Sequence, residues 1–291
     1  MLALLWGSGF LWIKVALNHG LSPVQITLAR CVLGAAVLVG LAVAARQRLP
    51  RSAAVWRRLA VAALFCNALP FALFAVGERT VDSGLAGVLN ATTPLWTLLI
   101  GLAAGVERFS AARAGGLLLG FGGVLLIFAP WHAHPSWGAL ALLAAAASYG
   151  VGFVYMGRQL TGRGTAPIAL SAAQLIAATG WSALALPAAG APHADATGLV
   201  AVAVLGVFGT GVTFYLSYRL IADEGPTSAA TVGYLLPVVS VALGALVLDE
   251  RLGARVLAGM AVVLLAVSLT RRSRGAESRS SPERPRAGTP S

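Results

Sequence analysis

Residues 83–126 read SGLAGVLNATTPLWTLLIGLAAGVERFSAARAGGLLLGFGGVLL, and a second version of this stretch returns 143 residues further on without a gap. Pro94 falls on Pro237, Gly101 on Gly244, Glu107-Arg108 on Glu250-Arg251, Gly116 on Gly259 and Val124 on Val267. The same offset holds upstream, placing Ala60-Val61 on Ala203-Val204, Phe65 on Phe208, Phe71 on Phe214, Gly7 on Gly150 and Phe10 on Phe153. With one inserted residue, Pro23 meets Pro167 and Arg30 meets Gln174. In a chain so rich in Ala, Leu, Val and Gly many matches arise by chance, so the Pro, Glu-Arg and Phe matches carry the weight. A repeat at fixed offset decides the architecture before any single element is read.

The composition says where such a repeat lives. Only 11% of the 291 residues are charged and 58% are hydrophobic, and the mean hydropathy is +0.81. That balance belongs to a membrane protein. The net charge of +11 does not mark a nucleic-acid partner, because the arginines lie between and after apolar runs and line no polar face. Cys31 and Cys66 stand alone in apolar segments and are expected to be small buried side chains. Residues 1–18 lack a basic stretch ahead of the apolar run, and Lys14 interrupts its end, so a first membrane helix is expected there instead of a cleaved signal. The run starts almost at Met1, which fits either a true start further upstream or an orientation set wholly by later loops.

About 20 apolar residues cross a bilayer as a helix, and segments near that length fall at 2–18, 24–45, 58–77, 84–105, 112–130, 136–157, 166–187, 198–221, 227–248 and 253–271. The runs are too long and continuous for barrel strands, and lipid offers a bare backbone no partner. The fold class expected is therefore an all-α polytopic membrane protein, with ten transmembrane helices in two inverted five-helix repeats. The first repeat covers 1–130 and the second 136–271, leaving 272–291 as a disordered basic cytoplasmic tail. Gly and Pro clusters such as Gly20 to Pro23, Pro130 to Pro135 and Gly162 to Pro167 mark the connections.

Arginines set the orientation. With the N-terminus inside, cytoplasmic connections hold Arg46, Arg48, Arg51, Arg57, Arg58, Arg108, Arg113, Arg158, Arg163 and Arg219, and Arg271, Arg272, Arg274, Arg279, Arg284 and Arg286 follow the last span. Only Arg79, Arg251 and Arg255 lie outside. Both termini are then cytoplasmic, in the inner or plasma membrane. Five spans per half is an odd number, so the halves enter from opposite faces, a plan of secondary transporters whose site lies where the halves meet.

Charges within spans are costly and mark function. Lys14, near the outer end of the first helix, suits snorkelling or a cavity wall equally, while Arg30 suits a structural clamp on carbonyls or an anion. Glu78, Asp82, Glu107, Asp249 and Glu250 flank helix ends, where capping and pairing with Arg79, Arg108 and Arg251 account for them. A pocket for a small solute needs a few polar groups among apolar walls. On the fourth helix Asn90, Thr93 and Thr97 share a face beside Pro94, and the matching ninth offers Gly233, Tyr234, Pro237 and Ser240. Trp6, Phe10, Asn67, Tyr149, Phe153, Tyr215 and Tyr218 complete the candidate solute site, with Arg30, Pro94 and Pro237 in structural or gating roles. Each alone suits packing as well as binding. Gly101 with Gly105, and Gly116 with Gly120, permit close helix contact within the chain or between two copies in a homodimer.

The sequence has no HExxH, GxSxG or P-loop, Gly120-Phe121-Gly122-Gly123 sits mid-helix, and His132 with His134 make a lone pair. No enzyme activity, metal or cofactor is expected. The expected partners are a small-molecule solute and the lipid bilayer, with no nucleic acid. A membrane-embedded enzyme or lipid flippase without recognisable motifs is the alternative, disfavoured by the few titratable groups inside the spans.

The stretch WGSGFLWIKVAL from Trp6 to Leu17, followed by Pro23 and Arg30, resembles the opening motif of the EamA-like branch of the drug/metabolite transporter superfamily. The Pro94 to Gly116 and Pro237 to Gly259 stretches resemble that family's two repeats. The resemblance covers nearly all of the chain before the tail. It implies ten helices in two inverted halves, a central cavity bordered by helices 1, 3, 4, 6, 8 and 9, and export or exchange of small metabolites.

Overall fold

The computed structural model describes residues 1–81, 83–107, 109–129, 136–191, 193–239 and 253–280. Its elements are helices, and no strand occurs among the described residues. In chain order they are α1 (Leu2–Asn18), α2 (Pro23–Ala44), α3 (Ala53–Gly77), α4 (Leu85–Ala103), α5 (Ala111–Phe128), α6 (Trp137–Gln159), α7 (Pro167–Ala183), α8 (Ala196–Glu224), α9 (226–239) and α10 (Ala254–Ser280). Six of these, α2 to α6 and α8, are long and apolar enough to cross a membrane. Leu2–Asn18 and Ala254–Leu269 are shorter apolar helices.

The boundaries follow local chemistry. Ser22 opens α2 with a reciprocal capping box, Gln25 N donating to Ser22 Oγ at 3.3 Å and Ser22 N to Gln25 Oε1 at 2.9 Å, with Pro23 in the first turn. Ser136 Oγ accepts from Ala139 N at the start of α6. Asp195 starts α8, accepting from Gly198 N at 2.9 Å and facing His19 Nδ1 at 2.7 Å. The Gly198 N–H, and after it the His19 ring, hold this exposed carboxyl below the usual carboxylate range.

Three boundaries differ from the sequence expectation. Helix α3 begins at Ala53, so Arg57 and Arg58 lie in its opening turns and not in a connection. Helix α7 ends at Ala183. Helix α10 continues to Ser280, so residues 272–280, expected in the tail, are helical. Residues 240–252 with Ser240, Gly244, Asp249, Glu250 and Arg251, the His132/His134 pair, Asp82, Arg108 and residues 281–291 lie outside the described residues.

Small residues let the helices approach. A Cβ on Gly123 would stand 3.0 Å from the Gly259 carbonyl oxygen, and one on Gly259 2.9 Å from that of Gly123, so α5 and α10 touch backbone to backbone. Gly120 of the expected Gly116/Gly120 pair meets Tyr234 of α9 and Ala266 of α10, so its contacts are internal. Gly101 faces Glu107, and Gly105 has φ +65° with open space around it; that pair turns the chain after α4 and does not dock a helix. Gly34 lets α2 reach Leu175 of α7 and the backbone of α8. Large apolar side chains such as Leu11, Leu99, Leu118, Leu140, Leu199 and Leu265 face outward, as a lipid-facing surface requires.

Two irregularities recur at the repeat offset. A π-helical turn interrupts α3 at Leu64–Ala68 and α8 at Val207–Val212. Likewise α4 breaks at Ala91 and Thr92, ahead of Pro94, and α9 carries a 3-10 turn at Thr231–Tyr234, ahead of Pro237. Neither proline has an N–H, so the carbonyls of Asn90 and Gly233, four residues earlier, lose their helical donor.

Candidate functional site

The two broken helices, α4 and α9, meet α1, α2, α3, α6 and α8 around a cavity with about 570 Å³ of empty space, counting its open mouth. Its walls are Trp6, Gly9, Phe10, Ile13, Arg30, Phe74, Asn90, Thr93, Tyr149, Phe153, Gly209, Ala230, Gly233 and Leu236. Trp6 and Tyr149, Phe10 and Phe153, Asn90 and Gly233, and Thr93 and Leu236 are pairs at the repeat offset of 143. Equivalent positions of the two sequence halves thus face one another across one space.

Five aromatic rings stand together in the wall. The ring centroids of Trp6 and Phe153 are 6.1 Å apart, Tyr149 and Phe153 5.9 Å, Phe74 and Tyr149 6.1 Å, and Phe10 and Phe74 5.5 Å. Such a cluster holds a flat or apolar solute at little conformational cost. Polar groups break the wall at Asn90 and Thr93, where Thr93 Oγ1 donates to Asn90 Oδ1 at 3.4 Å. The Gly233 carbonyl, four residues ahead of Pro237, accepts a backbone N–H at the end of the 3-10 turn. Thr97, on the same face, is fully buried and donates to the Thr93 carbonyl.

Of the candidate solute residues, Trp6, Phe10, Asn90, Thr93, Tyr149 and Phe153 come together in this cavity. The others stand elsewhere. Lys14 Nζ donates to the Glu78 carbonyl at 2.8 Å, tying α1 to the end of α3 beside an open recess that Asn18, Ser22 and Arg79 share. Tyr234 is 1% exposed and donates to the Leu117 carbonyl at 2.9 Å, bracing α9 against α5. Tyr215 is half-buried against the core. Tyr218 donates to Gln174 Oε1, and Gln174 Nε2 donates to Asn67 Oδ1 at 2.7 Å; all three are sealed from solvent. Pro94 and Pro237 shape the two breaks.

Arg30, expected to hold carbonyls or an anion, lines the cavity and bonds a hydroxyl. Its Nε donates to Thr210 Oγ1 at 2.9 Å, and its guanidinium lies 3.6 Å above the Phe71 ring centroid. Glu78 and Glu107 flank helix ends as expected, and Arg108, the expected partner of Glu107, lies outside the described residues. Glu78 is fully buried at the end of α3, and Glu107 pairs with Arg113 at 3.0 Å while accepting from Thr227 N. Sequence reasoning missed Gly9, Ile13, Phe74, Gly209, Ala230 and Leu236 as wall residues, because single apolar or small residues carry no signal. The repeat offset was the available clue for Leu236, the partner of Thr93.

A bundle of apolar helices enclosing a cavity with an aromatic cluster, lined by matched positions of the two sequence halves, defines a polytopic membrane protein. Comparison with known proteins identifies the group. The EamA-like transporter family model matches residues 1–129 and again 136–272, and the chain belongs to that family. It is 26% identical over 279 residues to the inner membrane transporter YedA of Escherichia coli K12, covering 92% of this chain and 87% of that one. It is likewise 26% identical to the transporter YdfC of Bacillus subtilis, covering 84% and 80%. A solved crystal structure superposes with a TM-score of 0.75 over 96% of both chains, at 20% identity. The protein is a membrane transporter of the drug/metabolite type, and its relatives are named as transporters, not enzymes.

Proposed function

We propose that the protein is a secondary-active transporter that exports or exchanges a small metabolite, amino acid or drug-like solute by alternating access. Its ten transmembrane helices form two inverted five-helix repeats, with both termini cytoplasmic in the inner membrane, where the relative YedA is named as residing. The observation that carries this is the wall of the cavity, where paired positions of the two repeats face each other. Two similar halves that swap conformations yield two states of nearly equal energy, facing opposite sides.

A second pairing supports the same reading. Arg30 of α2 bonds Thr210 in the π-turn of α8, and Gln174 of α7 bonds Asn67 in the π-turn of α3. Arg30 corresponds to Gln174 and Asn67 to Thr210 under the repeat. Each half therefore sends one long polar side chain into the other half's π-turn. Here the Arg30 bond borders the cavity while the Gln174 bond, with Tyr218, is sealed. In the opposite state the roles exchange, so the cavity opens beside Gln174.

Asn90→Ala and Thr93→Ala in reconstituted vesicles test the site. Each should lower kcat/KM for the transported solute about tenfold, the worth of one directing hydrogen bond in a dry pocket, while the unfolding midpoint stays near that of the parent. Unchanged transport in both variants removes these residues from the path.

A further inference from the structure

We propose that the cavity selects organic monoanions with an aromatic or apolar body, and that Arg30 holds the anionic group. This rests on the transporter reading and adds the charge of its solute. Arg30 is 5% exposed, yet it is one of the walls. Among the described residues its hydrogen bonding consists of the Nε bond to Thr210, so the terminal nitrogens of the guanidinium keep their donors unused. The Arg30 side chain is itself a wall of the cavity, and its terminal nitrogens are not among the sealed, unpartnered atoms of the structure. A planar fork of donors at the edge of a low-dielectric space is built to meet a carboxylate or similar oxyanion.

No carboxylate lines the cavity among the described residues. Glu78 attracts Arg30 electrostatically, but it sits at the end of α3, outside the cavity wall. An incoming anion therefore neutralises a cation that the cavity itself leaves uncompensated, which gives the charged form an advantage over a neutral analogue. An ammonium would find dipoles there, the Asn90 amide oxygen and the Thr93 hydroxyl, and would meet the field of Arg30. Those same acceptors suit a neutral O–H or N–H on the solute. The aromatic wall of Trp6, Phe10, Phe74, Tyr149 and Phe153 suits a ring.

Three probes of one shape separate these charges: phenyllactate, a monoanion with a hydroxyl; phenyllactamide, its neutral amide; and phenylalanine, the zwitterion. Calorimetric titration of the purified full-length protein in detergent should rank phenyllactate above both others by at least about tenfold, the worth of one charge-assisted hydrogen bond. Arg30→Gln should bring phenyllactate down to the level of the amide and leave the amide unchanged. Thr210→Val, which keeps the cation, should retain the anion preference. Phenyllactate binding no better than phenylalanine or the amide, no binding by any probe, or an anion preference surviving in Arg30→Gln overturns the proposal. Should Arg30→Gln fail to fold, the ranking in the unaltered protein decides. Flux of phenylalanine or the amide into vesicles, without preference for phenyllactate, would sink the anion proposal and leave the transporter reading standing.

Discussion

Truncating Tyr234 to Ala should destabilise the protein by about 2–3 kcal/mol and leave it poorly folded at elevated temperature. In water the loss of a buried aromatic costs about 3–5 kcal/mol, but helices separated in lipid do not regain water, so the transfer part falls away. What remains is the cavity, about 100 Å³ of lost side chain at about 24 cal/mol per Å³. The ring lies against Gly120, where an added Cβ would stand 2.9 Å from its Cδ2, and the hydroxyl donates to the Leu117 carbonyl. Tyr234→Phe keeps the ring and should cost only about 1 kcal/mol, with transport intact. Unfolding in mixed micelles and vesicle flux check both variants. Transport lost in Tyr234→Phe at unchanged stability would instead make this hydroxyl part of the solute path.

The second large effect concerns the contact of α6 with the π-turn of α3. A Cβ on Gly152 would stand 2.1 Å from Cys66 Sγ and 3.2 Å from both Cys66 N and the Phe65 carbonyl carbon. Gly152→Ala should therefore cost about 1–3 kcal/mol by overpacking. The closest obstruction is one sulfur atom, which also bonds Met156 Sδ at 3.3 Å. Adding Cys66→Ala removes that sulfur and should recover about half of the loss or more, a coupling that a double-mutant cycle measures directly. Strictly additive losses would mean that the helix backbones, and not the thiol, limit this approach.

The fold was legible largely because lipid leaves the backbone few choices. Apolar runs, Gly and Pro breaks and the offset repeat located most described helix ends to within a few residues, though α10 runs on to Ser280, and the capping box at Ser22 with the caps at Ser136 and Asp195 explains where three helices begin. What failed to show was anything decided by tertiary contact. The π-turns leave no trace in the apolar pattern. Lys14 and Arg30, the two cations within spans, were indistinguishable by composition, yet one reaches back to a helix end and the other reaches the cavity. Asn67, Tyr218 and Tyr234 look as suited to a solute as Asn90 and Thr93 do, because a polar group that bonds across helices and one that bonds a ligand have the same sequence signature. Trp6 and Phe10 fall on Tyr149 and Phe153 under the repeat offset, and all four line the one cavity.

The most direct measurement follows Asn90, one of the polar residues of the cavity wall, from both faces of the membrane. Cys31 and Cys66, both buried and unpaired, are first replaced by Ala, and Asn90→Cys is then treated with a membrane-impermeant thiol reagent in oriented vesicles, once from each side. Alternating access requires labelling from either side, blocked flux after labelling, and slower labelling when solute is present. Labelling from one side alone, or complete labelling with flux undiminished, would contradict it.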